Sequence, residues 1–287
     1  SVLLDEPMKK HTTFRIGGPS DYFVLPKNIE EVKGVIALCK EKEVPFYILG
    51  NGSNLLVSDD GFRGVIIQLY KNMSHIEVEG NAIRAQVGAL LSKIAAEALQ
   101  NGLTGFEFAS GIPGTLGGAV VMNAGAYGGE MKDVLTEVTA LTQDGEVKVL
   151  KKEELDLGYR TSVVGKKGYI ALEAVVELQK GNPDEIKATM DDLKERRTTK
   201  QPLEYPSAGS TFKRPEGYFA GKLIQDTGLR GFSVGGAQIS EKHCGFVINK
   251  DHATAKDVAE LMREVSDRVE AKFGVPLEPE VKKLGDF

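Results

Sequence analysis

Glycine-rich sequence usually means a flexible linker, but Ser110–Glu130 (SGIPGTLGGAVVMNAGAYGGE) sets Ile112, Leu116, Val120, Val121 and Met122 among its glycines. Linkers lack large apolar residues, so this segment has to pack. Glycine lets backbone approach a ligand closely. A packed run of N–H groups beside a helix start forms a cradle for phosphate. The segment therefore reads as the wall of a dinucleotide site, although a close helix–strand crossing would ask for the same glycines.

A second polar glycine loop, Gly50-Asn51-Gly52-Ser53-Asn54, directly follows the apolar strand Pro45–Leu49. It has neither the Lys-Ser/Thr of a P-loop nor the spacing of a Rossmann turn. Alone it is an ordinary turn. Paired with the longer segment, it suits a ligand with two phosphates.

The 287 residues suggest about two domains. A net charge of −5 argues against a nucleic-acid partner. No apolar run is long enough to span a bilayer, so no membrane partner is expected. Cys39 and Cys244 lie far apart and suggest no disulfide. With four histidines and no ligand spacing, no metal site is expected.

The elements follow an α+β pattern rather than regular alternation. Asn28, with Glu31 three residues on, caps a helix whose inner face carries Ile29, Val32, Val35, Ile36 and Cys39. Further strands are expected at 22–26, 65–69, 75–79, 82–87 and 169–178, and a helix over 90–100. Residues 135–141 and 146–150 form a hairpin around Asp144-Gly145. Gly181-Asn182-Pro183 reads as a boundary, followed by a charged helix over 184–197. Thr198–Pro202 leads into a second domain with helices at 220–226 and 255–273 and a strand at 245–249.

Three further segments suggest chemistry. Gly158-Tyr159-Arg160-Thr161-Ser162 offers an arginine fork that matches a carboxylate. Around Ser210, the run Pro206–Pro215 is small enough to leave the hydroxyl accessible, and Lys213 and Arg214 add charge suited to phosphate. It holds no G-x-S-x-G elbow, so a hydrolase serine is not indicated. Leu277-Glu278-Pro279-Glu280-Val281 holds a carboxylate beside proline. His243 and Cys244 are adjacent, and in a strand they would face opposite ways, which argues against a Cys–His pair.

In combination and order, these blocks, with Thr12-Thr13-Phe14-Arg15-Ile16-Gly17-Gly18, resemble the UDP-N-acetylenolpyruvoylglucosamine reductase family over nearly the whole chain. The resemblance implies an FAD-binding fold of the vanillyl-alcohol oxidase type in two subdomains, with a separate α+β substrate-binding domain. The implied division is 1–57 and 58–197 for the two FAD subdomains, with 277–287 rejoining the second, and 198–276 for the substrate domain.

The resemblance also implies non-covalent FAD, NADPH as co-substrate and UDP-N-acetylglucosamine enolpyruvate as substrate, in a monomer of the bacterial cytoplasm. FAD contacts are expected from Gly50, Asn51, Gly52, Ser53 and Asn54. In the longer segment they are expected from Ser110, Gly111, Ile112, Pro113, Gly114, Gly117, Gly118, Asn123, Gly125 and Ala126. Arg160 and Glu280 match the family's residues that handle the substrate carboxylate, and Ser210 matches its proton donor. A like charge beside Glu280 would favour its protonated form. Tyr159, Lys200, Lys213 and Arg214 are candidate substrate contacts. The short span between Arg160 and Ala174 implies the form of the family without a tyrosine-bearing closing loop. Another flavin enzyme of the same fold, acting on a small alcohol or hydroxy acid, is the alternative. Many such oxidases tether flavin through His or Cys, and neither glycine loop contains either residue. A nucleotide-binding protein without catalysis is the other alternative.

Overall fold

The computed structural model describes all residues, Ser1–Phe287. The chain forms two compact units. The first contains Ser1–Val2, Val24–Asn51 and Ile66–Arg197, and the second Leu3–Phe23, Gly52–Val65 and Thr198–Phe287. The stretches 1–57 and 58–197 thus each contribute to both units.

In the first unit an antiparallel five-stranded sheet has the order Val147–Lys151, Leu135–Leu141, Ile170–Glu177, Ala82–Gln86, Ile76–Glu79. Helix α1 (Ile29–Glu41) is capped by the Asn28 side chain, which accepts from the Glu31 N–H at 2.9 Å. The Glu31 carboxylate reaches back to the N–H of Lys27 rather than of Asn28. Val32, Ile36 and Cys39 form the buried stripe of α1. Helix α2 (Leu91–Gln100) buries Leu91, Ile94, Ala95 and Ala98, as a 3.6-residue period dictates. Helix α3 (Leu116–Met122) lies within the glycine-rich segment, and α4 (Met131–Val134) follows it. Helix α5 (Val163–Lys166) is capped by Ser162, whose Oγ accepts from the Gly165 N–H.

Pro183 is no boundary. It is the first residue of helix α6 (Pro183–Lys200), a place where proline's fixed φ and missing N–H are harmless. Asn182 accepts from the Asp184 N–H at 2.9 Å. The change of unit comes between Arg197 and Thr198, inside α6.

The second unit buries Phe14, Ile16, Leu56, Phe212, Ile224, Val247, Leu277 and Val281 in one cluster with helices α7 (Ala220–Asp226) and α8 (Ala255–Phe273). Helix α8 has both end signals. Thr254 and Asp257 form a reciprocal capping box, and Gly274 ends the helix at φ 67°. Asp59 adds a second cap, accepting from the N–H groups of Ala255 and Lys256 at 2.8 and 3.1 Å. A short antiparallel sheet joins Ser233–Val234, Ala237–Ile239 and Val247–Asn249. Lys282–Leu284 pairs parallel to Leu55–Val57. The strand expected from 245 begins at Val247, because Ser240–Gly245 forms a turn. His243 and Cys244 therefore do not alternate across a sheet, and the His243 ring accepts from the Gly245 N–H through Nδ1 at 3.0 Å.

Candidate functional site

In the first unit the two glycine loops meet. The strand Phe46–Leu49 delivers Gly50 and Asn51 onto the loop that precedes α3. The Asn51 side chain donates to the Pro113 carbonyl at 2.7 Å. A Cβ on Gly50 would collide with the Thr115 hydroxyl, so only glycine allows this approach. The N–H groups of Gly50, Asn51, Gly114, Thr115 and Gly118 donate to no backbone carbonyl. Those of Leu116 and Gly117 are taken by Ala89 and Val87. Gly117 packs on Val87, where a Cβ would come within 3.0 Å, and Gly125 packs against Gly129 and Glu130.

Arg197, near the end of α6, lies beside this loop, and a Cβ on Gly111 would come within 2.8 Å of its Nη1. Burial pulls the guanidinium's pKa down, and the charge of Tyr127 partly offsets that. Unengaged N–H groups next to a cation fit the pyrophosphate of a dinucleotide.

Arg160 occupies a tight turn in which Gly158 and Thr161 exchange backbone hydrogen bonds of 3.1 and 3.3 Å. Its φ is +54°, in the left-handed region that disfavours non-glycine residues. The guanidinium lies 5.3 Å from the centre of the exposed Tyr159 ring. Asn123, at the C-terminus of α3, is fully buried. Its Nδ2 donates to the Gly158 carbonyl at 2.9 Å and to Glu130 at 2.6 Å, while its Oδ1 accepts from the Lys132 N–H at 2.8 Å. The side chain is thus engaged within the fold.

The second unit brings Ser210 and Glu280 onto neighbouring chain segments. Thr211 accepts from the Glu280 N–H at 2.8 Å, and Lys213 donates to the Glu278 carbonyl at 2.8 Å. Phe212 bridges Pro279, and the Lys213 ammonium pairs with the Glu278 carboxylate. Ser210 is exposed, beside Gly209 at φ +74°, whereas Glu280 is only 8% exposed.

The remainder of the shorter glycine loop, Gly52–Asn54, closes on the same framework. Asn54 donates to the Glu280 carbonyl at 3.1 Å and accepts from the Lys282 N–H at 3.0 Å. Gly52 accepts from the Thr13 N–H, and its φ of +63° with the His11 carbonyl against its Cα leaves no place for a side chain. Thr13 then donates through Oγ1 to the Ser207 carbonyl at 2.6 Å. Four segments, around residues 13, 53, 210 and 280, are thereby tied into one ring. Sequence reasoning gave Thr13 no role. Its signal was its place in the Thr12–Gly18 block.

Of the candidate substrate contacts, Lys200 is exposed at the end of α6, and Arg214 stacks 4.0 Å from the centre of the exposed Phe219 ring. No helix is long and apolar enough to cross a membrane.

Comparison with known proteins finds relatives over nearly the whole chain. Residues 20–151 match an FAD binding domain, and residues 201–284 match the C-terminal domain of UDP-N-acetylenolpyruvoylglucosamine reductase. The reductase of Clostridioides difficile is 56% identical over 285 residues, covering 99% of this chain and 94% of that protein. That of Clostridium perfringens is 56% identical over 284 residues, covering 99% and 93%. The crystal structure of the Thermus caldophilus reductase superposes with a TM-score of 0.84 at 37% identity, covering 99% of this chain and 98% of that one. The fold is accordingly the FAD-binding type expected from the sequence, with a separate α+β domain. The chain belongs to the UDP-N-acetylenolpyruvoylglucosamine reductase family.

Proposed function

We propose that the protein reduces the enolpyruvyl ether of UDP-N-acetylglucosamine enolpyruvate to the lactyl ether of UDP-N-acetylmuramate, a step of peptidoglycan synthesis. The observation that carries this reading is the placement of Ser210 and Glu280 on paired segments tied to Asn54 of a glycine loop. FAD, when bound, supplies a hydride carrier between NADPH and the terminal carbon of the enolpyruvyl group. Gly50, Asn51 and the loop 111–118 would hold its pyrophosphate.

An enol ether is electron-rich and accepts hydride poorly. The attached carboxylate helps only if the charge that builds at the α-carbon can spread into it. Arg160 neutralises that carboxylate with a planar fork. Glu280 orients the group from its buried position. Ser210 then gives its hydroxyl proton to the α-carbon of the enolate-like intermediate. Serine is a weak acid, but this carbon base is strong enough to take the proton. Lys213, Arg214, Lys200 and Tyr159 are the substrate contacts in this reading, and the protein acts in the bacterial cytoplasm as a monomer.

Anaerobic titration tests the proposal. NADPH should bleach the flavin absorbance, and the enolpyruvyl sugar nucleotide should restore it with formation of UDP-N-acetylmuramate. A flavin bleached by NADPH and then left bleached by that substrate would overturn the reading. Yellow colour kept on the denatured polypeptide would favour the oxidase alternative.

A further inference from the structure

We infer that Asn123 is a positioning residue for Arg160, setting the turn that presents the guanidinium to the substrate carboxylate. The inference rests on the proposed function and on geometry within the first unit. A fully buried asparagine has to satisfy both ends of its amide. Here Oδ1 accepts from Lys132 and Nδ2 donates to Glu130 and to Gly158, the residue that opens the Arg160 turn. Arg160 itself sits at φ +54°, a conformation that surrounding structure has to impose.

A second buried side chain holds the other end of the turn. The Ser162 hydroxyl donates to the Val121 carbonyl at 2.8 Å. Both ties lead to the last turn of α3, whose first turn lies against Val87 and Ala89 and follows the Gly114–Thr115 loop. One short helix therefore fixes the Arg160 turn and continues the loop assigned to the cofactor pyrophosphate.

Asn123 has φ +45°, so Asn123→Gly keeps the helix cap and removes the side-chain bonds to Gly158, Glu130 and Lys132 together. The pair Asn123→Asp with Glu130→Gln separates positioning from stability. The amide introduced at position 130 can donate to the carboxylate introduced at position 123, which restores that link. The Gly158 carbonyl then faces a carboxylate with no proton to give. In both variants, saturated with FAD, the rate of bleaching by NADPH serves as the internal reference. Reoxidation by the enolpyruvyl sugar nucleotide should slow by about 10- to 100-fold, as expected for a misplaced reacting partner. Binding of UDP-N-acetylmuramate should weaken, and amide hydrogen exchange at residues 159–162 should quicken.

Wild-type reoxidation in Asn123→Gly would overturn the inference. So would a double variant that recovers thermal stability and reoxidation together, since that marks a purely structural role. If wild-type protein is not reoxidised by this substrate, the proposed function fails instead. The exchange measurement still decides whether Asn123 holds the turn, and unchanged exchange would end the inference by itself.

Discussion

Arg160 stands on a turn located by side chains, whereas Ser210 and Glu280 stand on segments located by main chain. In the first unit, Asn123 reaches from the end of α3 to hold Gly158, and Ser162, at the start of α5, reaches back to the Val121 carbonyl of α3. In the second, Thr211 and Lys213 pair with Glu280 and Glu278 through their backbones, and Thr13 and Asn54 add single side-chain ties. A backbone ladder survives most substitutions, because every residue except proline brings the same N–H and C=O. A side-chain strut is lost with one residue. The carboxylate-binding function should therefore be fragile at distant positions, and the proton-donating function fragile only at its own side chains.

The largest effect expected is at Ser210 itself. Ser210→Ala leaves the ladder intact and removes only the hydroxyl. NADPH should still bleach the flavin, while turnover falls by about 10²- to 10³-fold, the usual consequence of losing a preorganised donor. Turnover near wild type would mean that the ladder presents some other proton donor. Arg160→Ala should slow flavin reoxidation by substrate far more than reduction by NADPH. Equal damage to both half-reactions would remove the distinction drawn between the two regions.

The left-handed backbone at Arg160 sharpens the comparison further. Arg160→Gly and Arg160→Ala lose the same guanidinium, but glycine accepts φ +54° without steric penalty. The glycine variant should be the more stable of the two by about 1 kcal/mol, visible in chemical denaturation. Equal stability would show that the turn relaxes once the side chain is gone, and so is not imposed by Asn123 and Ser162.

How much of this was legible in the sequence follows from the range of each interaction. Helix α8 was readable to the residue, because Thr254, Asp257 and Gly274 signal its ends locally. The glycine loops, Arg160, Ser210 and Glu280 stood out as blocks in a fixed order. The ring through Thr13 was not readable. Its partner Ser207 is 194 residues away, and no local pattern records which carbonyl a threonine will meet. The strut made by Asn123 was not readable either. Asparagine among glycines reads as a loop residue near a ligand, while its buried amide faces into the fold. Pro183 was ambiguous because proline both ends helices and begins them.

Thr13→Val tests the ladder at moderate strength. The variant keeps the shape and leaves the Ser207 carbonyl without its donor, costing about 1–2 kcal/mol of stability. The Ser210 segment keeps its pairing to Glu280, so turnover should fall by less than about tenfold. A loss as large as that of Ser210→Ala would show that one side chain, and not the ladder, sets the serine. That outcome would make the two regions alike.

The smallest effect expected is a dependence on acid in the second unit. His243 accepts from the Gly245 N–H, which requires a neutral ring, and it packs edge-on against Phe246 at 5.0 Å. Burial lowers its pKa from the usual 6.5, and the charge of Arg230 lowers it further. The unfolded chain therefore takes up a proton near pH 6.5 that the folded ring resists. The folded state is fully favoured above that pH and loses stability as pH falls toward the folded value. Between pH 7.5 and 5.5 wild-type protein should lose about 1–2 °C more in melting temperature than His243→Gln. The carbonyl of Gly245 accepts from the Thr211 N–H, so the protonated ring disturbs the segment that carries Ser210 at its root. Amide exchange at Thr211 and Glu280 should rise in acid relative to that variant, while exchange at residues 159–162 should match it. Acid sensitivity appearing equally in both places would mean that the turn and the ladder yield together, and that their separate construction does not give them separate stability.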